Sequence, residues 1–353
     1  MKVGIIGAAG AGKTTLFNAL TGLLVQTGTG AKKTHIGAVN VPDERVEIIR
    51  ELTHRSRAVY AQITFSDVAG GLGKPTRELG MAPELANMMK PLEAFAVVLR
   101  SFDGYENNEG KNCLLADTRE IESDLLLADL VTVENKINRM KREPVPEIER
   151  NAIEKCKRWL DEEKPLRLLE LNLSEESALS SYAFLSKKPV VYIQNIGESD
   201  IGKAPPDELV EYAKLQGAKI VQVCAKLEME IAQLDDSERK NFRKEMGLEN
   251  SALERFVRAS YDACELISFF TTGTAQADEV KAWTLRKGLN AFEAAGKIHS
   301  DIRRGFIRAE VINFEEFVKI GSIESARARG KIRLEGKDYI VQDGDIIQFR
   351  FNV

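Results

Sequence analysis

The chain has 353 residues, 43% of them hydrophobic, and a formal net charge of −4, a size that suits two or three globular domains. That mild negative charge excludes nucleic-acid binding by global electrostatics, so any such contact needs a local basic patch. Cys113, Cys156, Cys224 and Cys264 lack paired spacing and His35, His54 and His299 are the only histidines, which argues against a Cys/His zinc site; no apolar stretch approaches ~20 residues, which argues against a membrane span.

The N-terminus carries an apolar run, Lys2-Val3-Gly4-Ile5-Ile6, then Gly7-Ala8-Ala9-Gly10-Ala11-Gly12-Lys13-Thr14, then Thr15-Leu16-Phe17-Asn18-Ala19-Leu20. This is G-x-x-x-x-G-K-[ST] between a strand and a helix, the context that gives the pattern its meaning. Glycines let the loop turn its N–H groups inward, and the helix start adds unpaired N–H groups and partial positive charge. Gly7, Ala8, Ala9, Gly10, Ala11, Gly12, Lys13, Thr14 and Thr15 are therefore the expected polyphosphate contacts of a nucleoside triphosphate. Lys13 is expected to reach the β- and γ-phosphates, and Thr14 to ligate Mg²⁺. Because the chain enters this loop at once, no secretory leader is expected, and reduced thiols and a cytoplasmic location are.

Residues 28–33 are glycine-rich and polar, as in a loop that senses nucleotide state. Thr34 is the candidate sensor of γ-phosphate and Mg²⁺, with Thr27 and Thr29 competing for the role. The apolar run 62–65 precedes Asp67-Val68-Ala69-Gly70; Asp67 fits the magnesium shell, and the Gly70 amide fits a γ-phosphate oxygen. Lys13, Thr34 and Gly70 thus form the expected catalytic set, and Thr14 and Asp67 the expected Mg²⁺ ligands.

Further strands are expected at 94–99, 189–193 and 219–223, with helical stretches between, which predicts a doubly wound, mostly parallel sheet. Residues 129–182 interrupt it. There Leu130, Val133, Ile137 and Met140, a break at Pro144-Val145-Pro146, and then Ile148, Ile153, Trp159 and Leu160 predict two antiparallel helices forming an arm. Loops after the later strands should meet the base: Asn195-Ile196-Gly197-Glu198 and Cys224-Ala225-Lys226. A guanine site carries Asn-Lys-x-Asp, whose Asp accepts from guanine N1–H and N2–H₂. Here Ile196 replaces the Lys and Glu198 adds a methylene, displacing the carboxylate beyond what a hydrogen bond tolerates. Asn195 remains able to bond N7 and N6 of adenine. ATP over GTP is the expectation. The last segment reads as short strands (280–284, 306–311, 331–333, 339–340 and 346–353) in a small α+β domain.

With these motifs in order, the chain resembles the YchF subfamily of Obg-related P-loop proteins over nearly its whole length. The resemblance is carried by Val41-Pro42-Asp43-Glu44-Arg45, by Asn195-Ile196-Gly197-Glu198, and most strongly by the C-terminus: Lys281-Ala282-Trp283-Thr284, Ala294-Ala295-Gly296-Lys297-Ile298-His299, Gly305-Phe306-Ile307-Arg308-Ala309-Glu310-Val311 and the run Arg333–Asp345. It implies an α/β P-loop NTPase domain at 1–128 and 183–267, an inserted helical coiled coil at 129–182, and a β-grasp TGS domain at 268–353. It also implies slow, Mg²⁺-dependent ATP hydrolysis and association with ribosomes. The chain departs from the family at Ala9 and Gly10, where Pro-Asn is usual, so monovalent-cation dependence stays open. It departs again at Gly71, ahead of Leu72, and in lacking a histidine within 103–115.

Three functions compete on these residues: an ATP switch, a guanine-nucleotide switch, and an RNA- or ribosome-binding module in which nucleotide is a structural ligand. Residues 268–353 hold 14 Lys and Arg against 12 Asp and Glu. Arg303, Arg304, Arg308, Arg327, Arg329, Lys331 and Arg333 are nevertheless close in sequence, as an rRNA-binding face would require. No DNA partner and no membrane are expected.

Overall fold

The computed structural model describes residues 1–26, 34–72, 81–102, 113–245, 251–273 and 277–352. In chain order the elements are β1 (Lys2–Gly7), α1 (Lys13–Thr21), β2 (His35–Asn40), α2 (Glu44–Leu52), β3 (Arg57–Val59), β4 (Gln62–Asp67), α3 (Pro83–Met89) and β5 (Ala94–Ser101). Next come α4 (Leu114–Met140), α5 (Glu147–Asp161), α6 (Leu173–Leu179), β6 (Val190–Ile196), α7 (Asp207–Leu215), β7 (Lys219–Val223), α8 (Ala225–Ala232), α9 (Asp236–Glu245) and α10 (Ala252–Ala263). The chain ends with β8 (Leu266–Thr271), β9 (Glu279–Arg286), α11 (Ala291–Ile298), α12 (Ser300–Arg304), β10 (Phe306–Asn313), α13 (Phe314–Ile320), α14 (Ile323–Ala328), β11 (Arg333–Glu335) and β12 (Asp345–Phe351). Two compact units result: Met1–Val39 with Thr64–Ala263, and Asn40–Ile63 with Cys264–Val353.

The first unit is built on a six-stranded sheet in the order β2-β4-β1-β5-β6-β7. β1 pairs in parallel with β4 and β5, and β5, β6 and β7 continue in parallel. The central strands are mostly apolar because helices cover both faces: β6 is buried at every position, its polar Gln194 and Asn195 included. Register then aligns the carboxyl ends. Ile5 stands opposite Asp67, Gly7 opposite Val98, Arg100 opposite Asn195, and Asn195 opposite Val223. Pairing with β5 and β7 carries β6 on to Ile196, so Asn195 and Ile196 lie in the strand rather than in the expected loop. β2 and β3 are not legible as apolar runs, since β2 alternates buried and exposed positions and β3 has three residues; β8, Leu-Ile-Ser-Phe-Phe-Thr, is an apolar run that the expected strands leave out.

Helices α4 and α5 pack through a cluster containing Val133, Ala152, Ile153, Cys156 and Leu160, with Leu130, Ile137, Met140 and Trp159 at its margin. This is the antiparallel pair that the periodicity predicts, but α4 begins at Leu114, and Ile148 is 51% exposed. Asp129 in α4 accepts from Leu185 N–H, Ser186 N–H and the Ser186 hydroxyl at 2.6–2.8 Å, pinning that helix to the entry of β6. Burial pushes the Asp129 carboxyl up to about 6. Among the described residues no helix is long and apolar enough to cross a membrane.

The second unit holds a mixed sheet in the order β11-β10-β12-β8-β9-β3. β10 pairs antiparallel with β11 and β12, β12 runs parallel to β8, β8 antiparallel to β9, and β9 parallel to β3. Its core gathers Phe269, Leu285, Ala294, Ala309, Val311 and Ile347. Strand β11 starts at Arg333, and of the expected strand at 339–340 only one bridge forms, Ile340 to Asn290. Residues 40–63 contribute α2 and the edge strand β3 to this unit.

Candidate functional site

The phosphate loop lies between β1 and α1. Gly7, Gly10 and Gly12 have φ of +145°, +79° and +91°, conformations that L side chains rarely adopt. A Cβ on Gly7 would stand 2.4 Å from the Val98 carbonyl oxygen, and one on Gly12 would stand 2.2 Å from Asn195 Nδ2, so the close approach of neighbours enforces glycine independently of φ. Lys13 Nζ is held over the loop by the carbonyls of Gly7 and Ala8, both at 2.9 Å. Burial draws its pKa below the usual range, and Asp67 opposes that shift. Thr15 follows in the first turn of α1.

Thr14 Oγ1 donates to Asp67 Oδ2 at 2.8 Å, bringing together two residues 53 positions apart that the sequence assigned to one metal. Burial raises the Asp67 carboxyl above its ordinary range, while the Thr14 hydroxyl, Lys13 and His35 pull it down. A desolvated carboxylate beside a hydroxyl is a hard oxygen pair of the kind that takes Mg²⁺, whose remaining positions phosphate and water fill. These residues fit the ion.

The loop after Asp67 rests on the phosphate loop. Gly70 has φ +113°, Leu72 N–H donates to the Gly7 carbonyl at 3.2 Å, and a Cβ on Gly71 would touch Ala9 N at 3.0 Å. Gly71 is thereby placed beside Ala9, with Gly70 the residue before it. Thr34 is placed differently: its hydroxyl points to the Met88 sulfur at 3.8 Å, while its neighbour His35 acts on Asp67. Thr27, Thr29 and 28–33 lie outside the described residues, as do 103–112.

On the other flank, Asn195 is 5% exposed. Its Nδ2 donates to the Ala11 carbonyl at 2.9 Å and its Oδ1 accepts from Ala225 N–H at 3.0 Å. The side chain expected to read the base edge therefore ties the phosphate loop to the turn opening α8, with one N–H left over. Ile196 does not flank a base: alternation along β6 turns it the other way, into a cluster with Cys224, Leu227 and Ile231. Burial likewise raises the Cys224 thiol. Glu198 and Lys226 meet in an exposed ion pair at 3.0 Å, joining the two expected recognition loops.

Two residues escaped the sequence reading. At the end of β5, the Arg100 guanidinium lies 4.8 Å from the centre of the Phe102 ring, and both border the phosphate loop. The available signal was positional: an arginine and an aromatic closing the apolar run of the strand that ends beside the glycine loop.

A family described as 50S ribosome-binding GTPase matches residues 2–136, and the YchF-GTPase C-terminal family, described as a protein of unknown function (DUF933), matches 266–352. The chain is 35% identical to the Bacillus subtilis (strain 168) protein named ribosome-binding ATPase YchF, with all of both chains covered. It is 38% identical to the Escherichia coli O157:H7 protein of the same name, covering all of this chain and 99% of that one. Among solved structures, the Schizosaccharomyces pombe YchF GTPase superposes with a TM-score of 0.85 at 26% identity, over 99% of this chain and 97% of that one.

Proposed function

The chain belongs to the YchF family, and from that premise we propose that it is a Mg²⁺-dependent switch that binds ATP in preference to GTP, hydrolyses it slowly, and works on the ribosome. The observation that carries this reading is the pair formed by Thr14 and Asp67 at 2.8 Å, directly beneath a loop of three positive-φ glycines capped by Lys13. Backbone amides and one ammonium would grip the polyphosphate. Thr14 and Asp67 would hold Mg²⁺, which when bound neutralises charge on the β- and γ-oxygens.

Gly70 would present its amide toward a γ-phosphate, a reading supported by its neighbour Gly71 packing on Ala9, and Thr34 would have to leave Met88 to join it; that difference between states is what a switch requires. Slow turnover follows from residue chemistry, since neither Gly71 nor Leu72 has a polar side chain to orient a water. A partner would supply the missing group.

Preference for adenine rests on Glu198, whose carboxylate is longer than the guanine-reading Asp and already bonded to Lys226. The relatives' names divide on this point, the two bacterial proteins being called ATPases and the yeast protein a GTPase. A ribosome partner is carried over from the names of the bacterial relatives. The basic run near the C-terminus adds little to it: Arg303, Arg304, Arg327, Lys331 and Arg333 are paired with Glu293, Asp301, Glu310, Glu316 and Glu335. The proposed division remains 1–128 with 183–267, 129–182, and 268–353, with 40–63 structurally part of the last.

Calorimetry with ATPγS and GTPγS in Mg²⁺ tests the assignment; ATPγS is expected to bind more tightly, and Glu198→Asp to narrow the gap. GTPγS binding ten times more tightly than ATPγS would reverse it. Single-turnover hydrolysis with and without ribosomes tests the partner, and fast turnover by the protein alone would contradict it.

A further inference from the structure

We infer that the open face of the second sheet, at Arg308 and Arg350, is a docking surface for the phosphodiester backbone of RNA. This rests on the ribosome reading above and gives it a contact surface. Strand register sets the face. Arg308 in β10 stands directly opposite Arg350 in β12, and two positions on, Glu310 stands between Gln348 of β12 and Leu334 of β11. Period-two alternation puts these side chains on one side of the sheet. Glu310 is 5% exposed and accepts from Arg350 and, at 2.8 Å, from Arg327 of α14. Two guanidiniums thus share that carboxylate, while Arg308 has no carboxylate partner among the described residues. Arg308, Arg327, Arg350 and Leu334 are all exposed.

Like charges directly opposite on neighbouring strands are destabilising. The fold carries that repulsion between Arg308 and Arg350, and an anion seated across the two would relieve it. On the β11 side the register runs from Glu335 to Gly336, and Arg308 Nη1 lies 3.8 Å from where a Cβ on Gly336 would stand. Glycine there leaves the guanidinium uncovered. Planar forks of this kind match phosphate oxygens two at a time. A protein partner would instead need a recess for an apolar anchor. The recess on this face, between Ile312 and Ile346 of the sheet and Ile323 of α14, holds about 20 Å³, room for about one water. Charge, not an apolar pocket, is what this face offers.

The competing role is a solvated surface that binds nothing. Anisotropy of a fluorescent RNA hairpin in rising KCl separates the two, measured on the full chain as wild type, Arg308→Gln, Arg308→Glu and Arg286→Gln. Arg286 is an exposed charge on β9, two strands from β12. Arg308→Gln is expected to weaken the hairpin about fivefold and to lower the slope of log affinity against log salt by about one. Arg308→Glu, which would pair with Arg350, is expected to weaken it by about tenfold or more. Arg286→Gln should change neither affinity nor slope. Equal losses for Arg308→Gln and Arg286→Gln, or none for Arg308→Gln, would overturn the assignment. So would a polyglutamate peptide that binds wild type more tightly than the hairpin does and weakens with Arg308→Gln, since the face would then belong to an acidic protein. If Arg308→Gln does not fold, wild-type affinity in Arg308→Glu overturns it alone. Failure of the ribosome reading looks different: wild type would not co-sediment with ribosomes, while hairpin binding and its dependence on Arg308 would persist.

Discussion

At Asn195 a single buried amide bonds the Ala11 carbonyl and the Ala225 N–H, so the phosphate loop and the start of α8 share one anchor. Asn195→Ala would leave both backbone groups without that partner, and a buried polar group left unmet costs about 1–3 kcal/mol. We expect a loss of that order in chemical denaturation, with affinities for AMP and ATP falling together because the loop, not one phosphate, is disturbed. Lys188 is another buried polar group with a structural task, donating to the carbonyls of Met89, Lys90 and Leu92 at 2.6–2.9 Å. Burial draws its ammonium down to about 8 from 10.5. Between those values the unfolded chain holds the proton more often than the folded one, so stability rises as pH climbs through the window. Denaturant midpoints of wild type and Lys188→Met, measured from pH 7.5 to 10.5, should therefore move apart in favour of wild type. A difference that shrinks with pH would contradict this sign.

Elements show where periodicity suffices and where it stops. The spacing of Leu130, Val133, Ile137 and Met140 against Ile153, Trp159 and Leu160 finds the apolar faces of α4 and α5, because each face must be covered by the other. It misplaces Ile148, which sits in the first turn of α5 beyond the packed stretch; a face read from one helix does not say how long its partner is. Ile153 is fully buried in that cluster, and Ile153→Ala should cost about 2–4 kcal/mol through the cavity it leaves. A thermal melt checks the magnitude. ATP affinity should be unchanged, since the cluster shares no residue with the phosphate loop. Strand β6 carries the opposite lesson. Its apolar run ends near Ile193 in sequence, yet pairing with β7 as far as Asn195 and with β5 as far as Ile196 draws in three more residues, and alternation then sends Asn195 to the loop and Ile196 to the core.

For the whole molecule, the assignment of residues 40–63 matters most. They leave β2 and return into β4, whose last residue is Asp67, but they pack as part of the C-terminal unit. Arg45 accounts for much of this. It bonds Asp43 at 2.7 Å and Asp343 at 2.8 Å, lies 5.1 Å from the centre of the Phe270 ring, and has its pKa raised by the two carboxylates. Asp343 also accepts from Ser268 N–H at 2.8 Å, so the loop before β12 is held from two sides. Arg45→Met keeps the stem and removes the charged bonds, with an expected cost of about 2–3 kcal/mol. In hydrogen exchange, protection should fall in 40–63 and 264–352 together. Loss confined to 40–63 would show that the segment is not integral to that unit.

What the amino-acid sequence determined by itself was local: residues 7–14 form a phosphate loop because glycine, lysine and threonine at that spacing between a strand and a helix leave the backbone little else to do. Asp67 was legible for the same reason, at the end of an apolar run with a glycine three residues on. The tertiary structure alone decided that Asn195 anchors the loop, that Ile196 is core, that Arg100 borders Gly10, and that Arg45 finds Asp343, 298 residues away. Each of those depends on which strand ends lie side by side and on which residue comes opposite which, and spacing along one chain does not encode a partner hundreds of residues distant.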